Sequence, residues 1–89
     1  MDKQVNFKNR DRLIQLGIAI STLRKMRGLS QEKLAEKASV SRSLISSIEA
    51  PGLAKSFSLD VFFNIADALD VDASDLLKAS VFPDLIIHK

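Results

Sequence analysis

The sequence predicts an all-α domain of five short helices, the second and third forming a closely joined pair. Three observations carry that expectation. Apolar residues recur at three- and four-residue spacing from Leu13 onward, and no β-type alternation occurs before residue 80. Small polar residues suited to cap a helix, Asn9, Ser30, Ser41 and Ser58, stand just ahead of the periodic segments. The stretch QEKLAEKASVSRSLISSIEA, residues 31–50, reads as a helix, a tight polar turn and a second helix with two opposed faces.

Residues 1–9 are expected to form a flexible arm, and residues 10–78 the folded domain. Helix one is expected from about Arg10 to Arg27, with Leu13, Leu16, Ile20 and Leu23 inward. Asn9 would cap it, and Gly28 would take the left-handed conformation that ends it. Ser30 caps helix two, Gln31 to about Lys37, whose inner side is Leu34, Ala35 and Ala38. Ser39, Val40 and Ser41 make the turn, with Val40 reaching the core and Ser41 capping helix three. That helix runs from Arg42 to about Glu49. Pro51 biases Ala50 away from helical dihedrals, and Gly52 reinforces the stop. After a loop at 51–57, Ser58 caps helix four, about Leu59 to Leu69, with Leu59, Phe62, Ile65, Ala66 and Leu69 inward. Val71 enters the core, and helix five starts at Ala73 or Ser74 carrying Leu76 and Leu77. Residues 79–89 form a C-terminal tail. Its segment SVFPDLIIHK is apolar and Pro-interrupted, compatible with a strand, a dimer contact or a frayed end.

Eighty-nine residues support a single core. With no cysteine there is neither a disulfide framework nor a thiolate metal site, as expected in a reducing cytoplasm. No apolar run approaches the ~18 residues of a membrane span. The N-terminus, MDKQVNFKNRDR, lacks the apolar centre of a signal peptide. The net charge of +2 is unevenly spread. Residues 1–55 hold eleven Lys/Arg against five acids, a balance of +6, and residues 56–89 hold two Lys against six Asp, a balance of −4. The basic part contains the two-helix unit. A basic face suits a polyanion, although small domains also show such asymmetry by chance.

On helix three, at about 100° per residue, Arg42, Ser43, Ser46 and Ser47 gather on one side and Leu44, Ile45 and Ile48 on the other. One side can be buried while short, donor-rich side chains face outward, as a helix inserted into a DNA groove requires. Ala35 is small where two steeply crossing helices nearly touch. These residues resemble the lambda-repressor-like family of helix-turn-helix regulators, also called the Cro/C1 or XRE type. The similarity spans roughly Leu16 to Leu77 through LRKMRGLSQEKLA, VSRSLISSIE and IADALDV.

The resemblance implies a function: sequence-specific binding of double-stranded DNA in the major groove by a transcriptional regulator, more in keeping with repression than activation. It implies that Gln31 binds a backbone phosphate and can brace helix three. Arg42, Ser43 and Ser47 match positions that contact bases, with Ser46 beside them, and Ser41 and Lys55 match positions near phosphates. Arg24 and Glu49 match a semi-buried salt bridge that fixes the angle of helix three, the alternative being two solvated charges. Family members bind as homodimers. Phe63, helix five and the tail residues Val81, Phe82, Leu85, Ile86 and Ile87 are the candidate contact surface.

Two departures from the family pattern stand out. Ser39 occupies a turn position usually held by glycine, and Ala50 replaces a polar residue that would donate to a phosphate. The serines at 39, 41, 43, 46 and 47 could also serve capping and solvation alone. His88 stands without an evident partner. The carboxylates at 67, 70, 72 and 75 lack the glycine and terminal glutamate of a calcium loop. No nucleophile–base pair, phosphate loop or zinc spacing occurs, so neither catalysis nor a metal or other cofactor is expected. The competing expectation is an antitoxin-like or anti-regulator protein on the same fold, whose main partner is another protein. Either would work in the cytoplasm, the regulator at the nucleoid when bound to DNA.

Overall fold

The structure, a computed structural model, describes the backbone of residues 7–81 and the side chains of residues 9–80. The described residues form five α-helices and no strand: α1 (Phe7–Met26), α2 (Gln31–Ala38), α3 (Arg42–Glu49), α4 (Leu59–Ala68) and α5 (Ala73–Val81). α1 packs against α5 and α3, α2 against α3 and α4, and α4 against α5. No helix among the described residues is long and apolar enough to cross a membrane.

One local device closes α1, α2 and α4. Gly28, Ser39 and Asp70 each take a left-handed conformation, with φ of 73°, 58° and 60°. Each donates its N–H to a carbonyl three residues back, and the next residue donates to a carbonyl five back. Those following residues, Leu29, Val40 and Val71, pack partly buried against the core. This is the Schellman arrangement, which satisfies orphan carbonyls and pins the exit of the chain with an apolar contact. Ser30, Ser41 and Ser58 then cap α2, α3 and α4, each Oγ accepting the N–H three residues on. The connectors Gly28-Leu29-Ser30 and Ser39-Val40-Ser41 thus stop one helix and start the next with no residue to spare.

Ser39 carries a cost in this scheme, because a side chain disfavours the left-handed region by about 1–2 kcal/mol. Ser39→Gly removes that strain but loosens the unfolded chain, so a net gain of about 0.5–1 kcal/mol is expected. Urea unfolding of the two proteins measures it; a loss of stability would mean the serine side chain holds the turn.

The core is formed by Leu16, Ala19, Ile20 and Leu23 of α1, Leu34, Ala35 and Ala38 of α2, and Ile45 and Ile48 of α3. Phe62, Ile65, Ala66, Leu69, Leu76 and Ala79 complete it. Burying a large aliphatic side chain is worth about 1.5–3 kcal/mol, so this cluster is the main favourable term. Leu13 is only half-buried.

Three expectations change. α1 begins at Phe7 rather than Arg10, so residues 7–9 belong to a helix and Asn9 lies inside it rather than capping it. Helix five extends through Val81, past the expected boundary at residue 78. Leu59 is 69% exposed rather than inward, because it occupies the first position after the Ser58 cap, and Val61 packs against the core instead. Leu77 is 51% exposed while its neighbour Leu76 is fully buried. The tail residues 82–89 lie outside the described residues.

Candidate nucleic-acid interface

α3 is amphipathic in the sense its sequence requires. Ile45 and Ile48 are buried, whereas Arg42, Ser43 and Ser46 are exposed and Ser47 is half-buried. Ser41 is exposed at the N-terminus of α3, where its hydroxyl accepts the Leu44 N–H at 3.1 Å. Capping therefore uses one lone pair, and the hydroxyl proton remains available to a phosphate oxygen. Lys55 is exposed in the segment after α3, beyond the Pro51-Gly52 turn.

The position of α3 is set from below by an ion pair with three participants. Arg24 Nε donates to Glu49 Oε2 at 2.8 Å and Arg24 Nη2 to Glu49 Oε1 at 3.0 Å, a bidentate contact. Arg24 Nη1 also donates to the Leu29 carbonyl at 2.7 Å, tying in the connector between α1 and α2. Gln31 Nε2 donates to Glu49 Oε1 at 3.0 Å. The side chains of Arg24 and Glu49 are only 11% and 4% exposed, so this is a desolvated pair, not two solvated surface charges. Gln31 thereby braces the C-terminal end of α3. Its amide nitrogen keeps a second proton that the Glu49 contact does not use.

A second constraint is steric. Gly17 of α1 lies under the end of α3, and a Cβ built there would stand 2.1 Å from the Ile48 carbonyl oxygen. The two backbones meet with no room for a side chain. Sequence reasoning passed over Gly17. The available signal was a glycine inside a helix, where it sacrifices about 1 kcal/mol of helix propensity without a local reason.

Beside α3 a shallow groove opens between the outer face of α1 and the α3 C-terminus, with Gln31 and Ser46 on its rim. A second concavity brings Arg42 alongside Ser30, Glu32 and Lys33 at the start of α2. Ser46 thus shares one concavity with Gln31, and Arg42 shares another with the first turn of α2. An exposed helix face beside the N-terminus of a second helix is the arrangement that helix-turn-helix proteins in general use to reach a groove and its flanking backbone.

A family model for helix-turn-helix proteins matches residues 20–76, from the middle of α1 into α5. The chain belongs to the Cro/C1-type (XRE) helix-turn-helix family. A search of curated proteins found no match. Among solved structures, the restriction-modification controller protein C.AhdI from Aeromonas hydrophila is 34% identical, with a TM-score of 0.66, covering 72% of this chain and 94% of that one. The clp gene regulator ClgR from C. glutamicum is 26% identical, with a TM-score of 0.71, covering 81% and 91%. A point mutant of the controller protein C.Esp1396I shares the fold at 24% identity and a TM-score of 0.73, covering 85% and 94%. Like this family, the XRE-type chain is a sequence-specific double-stranded-DNA-binding regulator of transcription. Family and neighbours are regulatory proteins rather than enzymes.

Proposed function

We propose that this chain is a homodimeric repressor that places α3 in the major groove. Arg42, Ser43, Ser46 and Ser47 face base edges, and Gln31, Ser41 and Lys55 hold the flanking phosphates. The carrying observation is the α3 face itself: a solvent-exposed arginine and serines, seated on two buried isoleucines and held at one angle by Glu49. Arg42 is the only base-facing side chain in this set able to make a bidentate contact to guanine, worth about 1–3 kcal/mol of discrimination. The serines read weakly and leave clearance for a close approach.

One arginine and three serines are a thin reading set for a monomer, and two copies on a two-fold symmetric site double it. Exposed apolar side chains on α4 and α5, Phe63 at 48% and Leu77 at 51%, support a self-contact there. Of the tail residues expected in the same contact, Val81 ends α5, and Phe82, Leu85, Ile86 and Ile87 lie outside the described residues. C.AhdI is by its name a restriction-modification controller, which supports a bacterial regulator acting at the nucleoid of the cytoplasm. A dominant protein partner of the antitoxin kind would use the same apolar side chains. Sedimentation with and without the selected duplex separates the two, since the repressor reading expects two copies per palindrome.

In-vitro selection from random duplex DNA tests the reading directly. Arg42→Ala is expected to relax preference at one base position per half-site and to weaken specific binding by about 1–3 kcal/mol per half-site. Gln31→Ala is expected to weaken binding to all sequences alike, through the lost phosphate contact and the loosened α3. Unchanged affinity and unchanged selection after both substitutions would refute the assigned face.

A further inference from the structure

α1 packs beneath α3 and α5, yet one of its faces borders the proposed DNA-reading surface. At about 100° per residue, Ile14, Ile18, Thr22 and Lys25 fall opposite the buried Leu16–Ile20–Leu23 stripe. The structure puts this face to use: Thr22 and Lys25 line the same groove as Gln31, Ser46 and Ala50. We infer that Lys25, assisted by Thr22, binds a phosphodiester of the DNA backbone at the mouth of this groove, next to the phosphate assigned to Gln31. The inference rests on the α3 reading proposed above and extends that interface onto α1.

Charge singles out Lys25. Three formal charges line the groove, those of Arg24, Lys25 and Glu49. Glu49 is saturated by Arg24 and Gln31, and Arg24 spends its guanidinium on Glu49 and the Leu29 carbonyl. Lys25 is exposed and has no carboxylate partner among the described residues. The contrast is Lys33, whose ammonium lies 3.0 Å from Glu36. The groove therefore presents one uncommitted cation and the Thr22 and Ser46 hydroxyls, a donor set complementary to a phosphodiester.

Ala50 sharpens the argument. It stands at the α3 end of the groove with a methyl group and no side-chain donor. A backbone strand passing α3 on this side finds its donors across the groove, on α1. Ile14 and Ile18 supply an apolar wall there, suited to the deoxyribose between phosphates.

The test uses the full chain and a duplex selected by the wild-type protein, with affinity measured by fluorescence anisotropy over a salt series. Lys25→Gln is expected to weaken binding roughly three- to tenfold at moderate salt. It is also expected to flatten the slope of log K against log salt by about 0.9 per half-site, about 1.8 for the dimer on its two-fold site, while the selected bases stay the same. Thr22→Val should weaken binding less and leave the slope alone, because no charge is removed. Lys37→Gln at the end of α2, outside both the groove and the proposed self-contact, should match wild type in both. Methylphosphonates placed one at a time along the duplex should reveal a phosphate whose neutralisation weakens wild type but not Lys25→Gln, an effect that a merely structural lysine would not produce. A wild-type slope for Lys25→Gln, or no such phosphate, overturns the inference while the α3 reading stands. If the wild-type protein selects no duplex at all, the α3 reading falls and takes this inference with it.

Discussion

Gly17→Ala is expected to destabilise the domain by about 3 kcal/mol, despite adding the best helix-forming residue to a helix. Propensity alone favours the substitution by about 1 kcal/mol. Against it stands a Cβ placed 2.1 Å from the Ile48 carbonyl oxygen, far inside van der Waals contact, with backbone on both sides of the clash. Neither partner is a flexible side chain that can turn away, so α3 has to move off α1. The loss corresponds to a fall in melting temperature of roughly 12–24 °C for a domain of this size. Thermal unfolding followed by circular dichroism measures it. Gly28→Ala is the informative comparison. Its Cβ meets nothing within 4 Å, and its φ of +73° alone sets a penalty of about 1–2 kcal/mol. If Gly17→Ala proved milder than Gly28→Ala, α1 and α3 would not be in backbone contact. Because α3 carries the proposed reading face, DNA affinity is expected to fall with Gly17→Ala even at temperatures where the protein stays folded.

Glu49→Ala carries the other large effect. The substitution leaves the Arg24 guanidinium, 11% exposed, without the carboxylate that takes two of its donors, and it strips Gln31 of its acceptor. Breaking a buried pair from one side costs about 3–5 kcal/mol, mostly the penalty of a stranded charge. Small domains hold only about 5–15 kcal/mol in total, so a substantial unfolded population is expected near physiological temperature. Denaturant titration reads the loss directly. Combining Arg24→Met with Glu49→Leu removes both charges and should recover much of the stability. DNA binding should not recover with it, because the apolar pair has no acceptor for Gln31 and no bidentate lock on the α3 angle. A cost below about 1 kcal/mol for Glu49→Ala would place the pair among solvated surface bridges. Full recovery of binding in the double variant would show that packing alone orients α3.

Much of the fold was legible because its punctuation is local. Ser30, Ser41 and Ser58 cap within one turn of their own position, and Gly28 announces the end of α1 by its type alone. The three-residue turn and the split faces of α3 follow from helical spacing. Legibility failed where a local pattern had two solutions. Leu59 fits the inward stripe of α4 by spacing, yet at the first turn after its cap it points past the end of the core into solvent. The start of α1 was misplaced because Asn9 is a good cap by type, and the helix continues through it to Phe7. Asp70 enters the left-handed region as the closing residue of α4 without a glycine to advertise it.

The candidate interface divides in the same way. The outward set Arg42, Ser43, Ser46 and Ser47 can be drawn from the chain alone, since a helix of known period and buried isoleucines leaves only one side for them. The sequence by itself determined the caps of α2, α3 and α4, the stop of α1 at Gly28, the buried stripes of α2 and α3, and that α3 carries an outward hydrophilic face. Those are consequences of capping chemistry and the 3.6-residue period, which act over a few residues. The Arg24–Glu49 pair was expected from the family resemblance; tertiary structure alone decided that Gly17 lets α1 touch the Ile48 backbone, that Gln31 donates to the same Glu49 oxygen as Arg24, and that Lys25 reaches the groove beside α3. These pairs are far apart along the chain. Their meeting depends on the crossing of whole helices, which the packing of all the buried side chains together sets and no local pattern encodes.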